Sequence, residues 1–289
     1  MSDFIEVVSI NRPNIKPGSL KSYNSAFNKA IKTGQDILEP EKMIEALVSM
    51  PLTTRRNIFN VLSLYVEKSH PVLSTHYGTE RDKLNKQYMV DNENGIISDK
   101  QSPHFITYEE LVTFIYNVRS DIDKDKNTHT AYVILNFLLY RPLRNDLAGV
   151  RLMTPRMFKK LKEEDKTECY LISQGTDLTF YCNQYETTKT RPQEIVSIQG
   201  KARIELQKYI KKYNIKSGEI VFNMSKNAMT QLLIRISQRY IQKNISTTMI
   251  RKIVSSHKFL QSKQEQEEHS KSIGHSVAID NLIYVKKPQ

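Results

Sequence analysis

Five side chains spread over the second half of the chain could together open and reseal a phosphodiester: Arg144, Lys189, Arg251, His275 and Tyr284. A tyrosine hydroxyl can attack phosphorus. Two arginines can hold the non-bridging oxygens as charge builds on them, and a lysine or histidine can protonate the departing alcohol. The set needs neither a metal nor a nucleotide. What singles it out is the order and the local setting of its members, because each one alone has an ordinary explanation.

Arg144 lies in Tyr140-Arg141-Pro142-Leu143-Arg144-Asn145-Asp146-Leu147, just after a proline break and at the start of a new helical turn. Free N–H groups there favour anions, and a guanidinium adds a two-pronged donor for two phosphate oxygens. Asp146 could hold that geometry from behind. Alone, Arg144 is a surface arginine near a helix cap. Lys189 lies in Glu186-Thr187-Thr188-Lys189-Thr190-Arg191-Pro192, between two expected strands, where a hairpin tip can reach into a groove; most such lysines are simply solvated. Thr248, Arg251 and Ser255 share one helical face by their three- and four-residue spacing. His257 lies elsewhere on that helix and is as readily a packed histidine as a catalyst. His275 follows Gly274, which ends a helix, and Tyr284 comes nine residues later.

Charge points the same way. The 289 residues carry a formal net charge of +12, and the excess is uneven. Residues 1–103 hold 13 Lys/Arg against 12 Asp/Glu, whereas residues 104–289 hold 30 against 19. A polyanionic partner for the second half follows, with a basic surface tuned for solubility as the plainer alternative. Cys169 and Cys182 have no close pair or histidine cluster beside them, so the sequence predicts reduced, structural thiols and no zinc site. The start of the chain lacks a basic and apolar leader, and the most apolar stretch, 131–140, is too short to cross a bilayer. An intracellular protein, not secreted, is expected. Asp121, Asp123 and Asp125 imitate a calcium loop, but Lys126 and Tyr132 occupy its glycine and glutamate positions. Phosphate-cradling glycine loops are also absent from the sequence.

These residues must be positioned by helices. Residues 1–14 form a loose leader by composition. Helices are expected over 20–31, from Pro40 to Met50, over 55–68 and over 79–90, which makes a compact all-α module. Residues 91–103 have the composition of a linker. Thr107-Tyr108-Glu109-Glu110 is a capping box and opens the second domain. Helices over 107–119 and 128–140 precede three short antiparallel strands, 169–172, 178–185 and 194–198. Helices over 201–213, 226–242, 247–260 and 264–273 then follow. The expected fold is mostly α with a small antiparallel β-sheet, an α+β architecture, divided at 14–98 and 104–289.

In this order the elements resemble the tyrosine recombinase (phage integrase) superfamily. The likeness rests on Leu143-Arg144, Thr188-Lys189-Thr190, Thr248 to Arg251, Gly274-His275-Ser276 and Tyr284. Leu20-Lys21-Ser22-Tyr23 and Thr54-Arg55-Arg56-Asn57 resemble the family's helical core-binding domain, so the resemblance spans roughly residues 14 to 289. Arg144-Asn145-Asp146-Leu147 and the 185–191 hairpin resemble members from viruses and mobile elements. Three features depart from the pattern. Thr248 stands where a histidine or lysine is usual, the hairpin offers both Glu186 and Lys189, and five residues follow Tyr284.

The resemblance implies a two-domain clamp on double-stranded DNA, acting as a homo-tetramer there and a monomer off it, without cofactor or metal. It implies Tyr284 as the nucleophile and Arg144, Arg251, Lys189 and His275 as its catalytic partners. Thr248, His257 and Asp146 fall in supporting positions, and Lys21, Arg55, Arg56 and Arg191 in DNA-binding ones. A type IB topoisomerase and a catalytically impaired DNA-binding structural protein on the same fold are the alternatives.

Overall fold

The computed structural model describes residues 4–93, 97–98, 101–162, 168–182 and 194–259. The chain divides into two compact units, residues 1–94 and 95–289.

The first unit is all helical: α1 (Phe4–Asn11), α2 (Pro17–Ile31), α3 (Pro40–Leu47), α4 (Leu52–Val66) and α5 (Pro71–Glu93). Proline begins α2 and α3, where its fixed φ suits a first turn and its missing N–H costs nothing. Ile58, Phe59, Val61, Leu62 and Val66 of α4 are buried and form the centre of this unit's core, with Phe27, Met43, Leu47 and Tyr77. The Tyr77 hydroxyl donates to the Ile37 carbonyl at 2.7 Å, which ties the α2–α3 connection to α5. Residues 4–11 are not the loose leader that their composition suggests. Phe4 and Val8, one turn apart, are buried, and the Phe4 ring stacks on Phe27 with centroids 4.4 Å apart. Two apolar side chains on one face are enough to dock eight residues.

The second unit opens with a 3-10 turn (Ser102–His104) and α6 (Tyr108–Arg119). The capping box forms as its sequence predicts: Glu110 N donates to Thr107 Oγ1 at 3.1 Å, and Thr107 N donates to Glu110 Oε2 at 2.8 Å. α7 (Lys126–Tyr140) is capped by Asp125 and buried on all sides from Thr128 to Leu138, so it is the central helix of the unit. After it come a 3-10 turn (Asn145–Leu147), β1 (Arg151–Met153), α8 (Pro155–Lys160), β2 (Cys169–Gln174), β3 (Asp177–Cys182) and β4 (Glu194–Ile198). α9 (Gly200–Lys212), α10 (Lys226–Ile241) and α11 (Thr247–Phe259) complete the described chain. Leu111, Phe114, Phe137, Leu232, Ile236, Ile250 and Val254 share one core.

The α+β class is as the sequence predicts, but the sheet has four strands in the order β1-β2-β3-β4. The added strand, β1, pairs in parallel with β2, so the sheet is mixed. Three residues are too short to show an alternating pattern, which is why β1 escapes a sequence reading. The cysteine expectation is also corrected. Cys169 and Cys182 are register partners across the β2–β3 hairpin, with Cα atoms 4.1 Å apart, and they are joined as a disulfide. The hairpin brings together two residues that are 13 positions apart in sequence.

Candidate active site

Pro142 ends α7, and the consequences of that ending build the site. Arg141, before the proline, is forced out of helical geometry to φ −136° and ψ 98°. The Pro142 carbonyl then has no helical N–H to accept from. It accepts instead from Arg251 Nε at 3.0 Å, across 109 residues of sequence. Arg251 lies on the inner side of α11, where Ile250, Ile253 and Val254 face the core, and it is 3% exposed. A guanidinium buried so deeply needs fixed acceptors, and a backbone carbonyl at a helix end is one.

Two residues beyond Pro142, Arg144 is half-buried and extended, at the entry to the 145–147 turn. Asp146 on that turn is 6% exposed. Burial pushes its carboxyl above the ordinary carboxylate value, and the nearby positive charges of Lys226, Arg144 and Arg251 pull it back. The same carboxylate therefore feels both arginines. Lys226 Nζ lies 3.4 Å from Asp146 Oδ1.

The approach of Lys226 is set by backbone pairing. Residues 218–222 run along the free edge of β1. Leu152 N donates to Glu219 O at 2.8 Å, Val221 N to Val150 O at 2.8 Å and Gly149 N to Phe222 O at 3.1 Å. Four residues further along each strand of this zipper, Asn145 Nδ2 donates to Lys226 O at 3.1 Å and to Thr230 Oγ1 at 2.9 Å. The arginine-bearing turn and the first turn of α10 are thus clamped together. Ser225 caps α10 by accepting from Ala228 N.

Of the residues expected from sequence, Arg144, Asp146 and Arg251 are brought together. Thr248 is exposed on the first turn of α11. His257 is stacked on the Tyr108 ring, with centroids 3.9 Å apart and planes 8° from parallel, and its Nδ1 is 3.8 Å from Glu109 Oε1. Packing against the start of α6 is what the structure shows for this histidine. Lys189, Arg191, His275 and Tyr284 lie outside the described residues. Lys226 escaped the sequence reading, because a lysine after a capping serine gives no sign of the carboxylate 80 residues upstream. α11 brings two more cations of unusual character. Burial lowers both the Lys252 and the Lys258 ammonium groups below the usual lysine value, and Lys258 is lowered further by Arg141.

In the first unit, Lys21, Ser22, Ser25 and Lys29 of α2 face Thr54 and Asn57 of α4 across a polar cavity of about 390 Å³. Arg55 is half-buried, with its Nε buried and lacking a hydrogen-bond partner among the described residues. Arg56 places its guanidinium over the Tyr88 ring at 4.6 Å. Among the described residues no cluster of three or more His, Cys, Asp or Glu could hold a metal ion, and no helix is long and apolar enough to cross a membrane.

No family model and no curated protein matches the sequence. Among solved structures the chain is similar to XerA recombinase, at 12% identity and a TM-score of 0.45, over 98% of this chain and 92% of that one. It is also similar to the XerH site-specific recombinase bound to its difH substrate. For the pre-cleavage complex the identity is 12% and the TM-score 0.47, over 98% of this chain and 90% of that one. For the post-cleavage complex the corresponding values are 12% and 0.44, over 97% and 89%.

Proposed function

We propose that this chain is a tyrosine recombinase, which cuts and rejoins duplex DNA through a 3′-phosphotyrosyl intermediate. The observation that carries the reading is the convergence of Arg144 and Arg251 on one buried carboxylate, Asp146, from segments far apart in sequence. Two guanidinium groups held in this way form a rigid receptor for a phosphodiester, whose non-bridging oxygens match their paired donors.

In this reading the Tyr284 oxygen attacks the scissile phosphorus. A tyrosyl–phosphorus bond forms as the bond to the 5′-oxygen breaks, and Lys189 donates the proton that makes the 5′-hydroxyl. Arg144 and Arg251 hold the non-bridging oxygens, where negative charge rises in the pentacoordinate transition state. His275 hydrogen-bonds the phosphate or accepts the tyrosine proton. The new phosphoester keeps the energy of the broken one, so attack by a 5′-hydroxyl reseals the strand. The first unit, through Lys21 and the α2–α4 face, tracks the DNA backbone as the core-binding domain, and a homo-tetramer on DNA brings the strands to be exchanged together.

The decisive experiment uses a pool of nicked duplexes of randomised sequence, with protein–DNA adducts recovered after denaturation. Wild type yields adducts that map to Tyr284, and Tyr284→Phe binds DNA but yields none. An equal yield from the phenylalanine variant overturns the reading. Thr248, exposed in place of a histidine or lysine, favours one alternative: a protein that binds DNA on this fold without turnover. Salt-dependent binding with no adduct from wild type is its signature.

A further inference from the structure

We propose that Lys226 is a third phosphate-binding cation of this site, making a direct contact with the DNA backbone beside Arg144 and Arg251. The proposal deepens the recombinase reading and supplies a group that the sequence pattern lacks. Thr248, three positions before Arg251, carries no charge.

The backbone zipper between 149–152 and 219–222 sets the lead-in to α10 against the arginine segment, and the Asn145 amide holds the Lys226 carbonyl itself. The root of the Lys226 side chain is therefore fixed with respect to Arg144. Its ammonium reaches Asp146 at 3.4 Å, a long contact for an ion pair. The two partners differ in setting: the Asp146 side chain is 6% exposed, while that of Lys226 is 55% exposed. An ammonium has three donors, and this carboxylate occupies one of them. A lysine anchored at its base, leaning on a buried acid and with a little over half of its side chain exposed, is poised for an anion arriving from outside. Ser225 caps the helix below it, so an incoming phosphate oxygen also meets the positive end of the α10 dipole.

This is a role for a side chain that touches substrate, and it is distinct from that of Asp146. Asp146 is buried and acts by positioning the three cations, whereas Lys226 binds phosphate itself.

The test compares wild type, Lys226→Gln and Lys226→Arg in two measurements. The first is the salt dependence of binding to random-sequence duplex DNA. Each phosphate contact contributes about 0.9 to the slope of log K against log salt, so Lys226→Gln lowers the slope by about that amount and Lys226→Arg restores it. The second is the rate of adduct formation on the nicked pool. Loss of a transition-state donor of this kind costs about 10²–10³ in rate, and the arginine variant recovers part of it. Thermal unfolding separates a folding defect, which would shift the midpoint without changing the slope. An unchanged slope in folded Lys226→Gln overturns the proposal whether or not wild type forms adducts. A lowered slope with no adduct from wild type leaves Lys226 as a phosphate contact and overturns the Tyr284 chemistry instead.

Discussion

Arg251 Nε donates to the Pro142 carbonyl oxygen at 3.0 Å, so the arginine of α11 is tied to the proline that releases Arg144 from α7. The two arginines are therefore one unit: the end of one helix is the receptor for the side chain of another. Arg251→Lys keeps a charge but loses the fork that can hold the carbonyl and a phosphate at once. Hydrogen bonds from charged donors contribute about 1.5–3 kcal/mol, so Arg251→Lys lowers stability by that order in denaturant unfolding. Adduct formation falls about a hundredfold or more, because a transition-state donor is misplaced.

Asp146 makes stability depend on pH in an unusual direction. Burial raises its carboxyl above the unfolded value, so the native state holds the proton more tightly. Its contribution is fully present below the ordinary carboxylate pKa and is lost as pH rises through the raised value. Asp146→Asn removes this dependence. Subtracting the melting curves of the two proteins across the acid range gives a difference that grows against wild type as pH rises. A difference of opposite slope would mean that the three cations outweigh burial.

Asp146→Asn also separates folding from function. The variant keeps the shape of the turn but no longer balances Lys226, Arg144 and Arg251. Adduct formation drops while the unfolding midpoint near neutral pH holds or rises. A parallel loss of both would make Asp146 a structural residue only.

The Thr107–Glu110 capping box closes the first turn of α6 with two reciprocal bonds. Thr107→Ala removes one acceptor and costs about 1 kcal/mol in equilibrium unfolding. The same turn carries Tyr108, on which His257 stacks. If that stack matters only for packing, Tyr108→Leu lowers stability and leaves the salt slope of DNA binding unchanged.

Phe4 anchors α1 through its contacts with Phe27 and Tyr65. Phe4→Ala destabilises the first unit by about 3 kcal/mol, read as earlier unfolding and faster protease cleavage near α1. A truly loose leader would show neither effect.

Most helices of both units were legible because their causes are local; α8 (Pro155–Lys160) was not expected, and α5 begins at Pro71, eight residues before the 79–90 helix expected. Proline at a first position, Asp125 and Ser225 as caps, the Thr107 box and a 3.6-residue apolar period each act within a few residues. Arg144 and Asp146 were legible for the same reason, since a proline break announces itself in sequence. The short strand β1, the docking of α1 and the Cys169–Cys182 pairing were not, because each depends on a partner brought near by folding. Lys226 is the clearest case. Its meaning comes from a carboxylate 80 residues away, across a backbone zipper without a side-chain signature. The sequence put Arg144, Asp146 and Arg251 forward as candidates and set the local starts of most helices that carry them. Only the tertiary structure decided which cations meet, because a charge acts over a few ångströms and distance along a chain says little about distance in space.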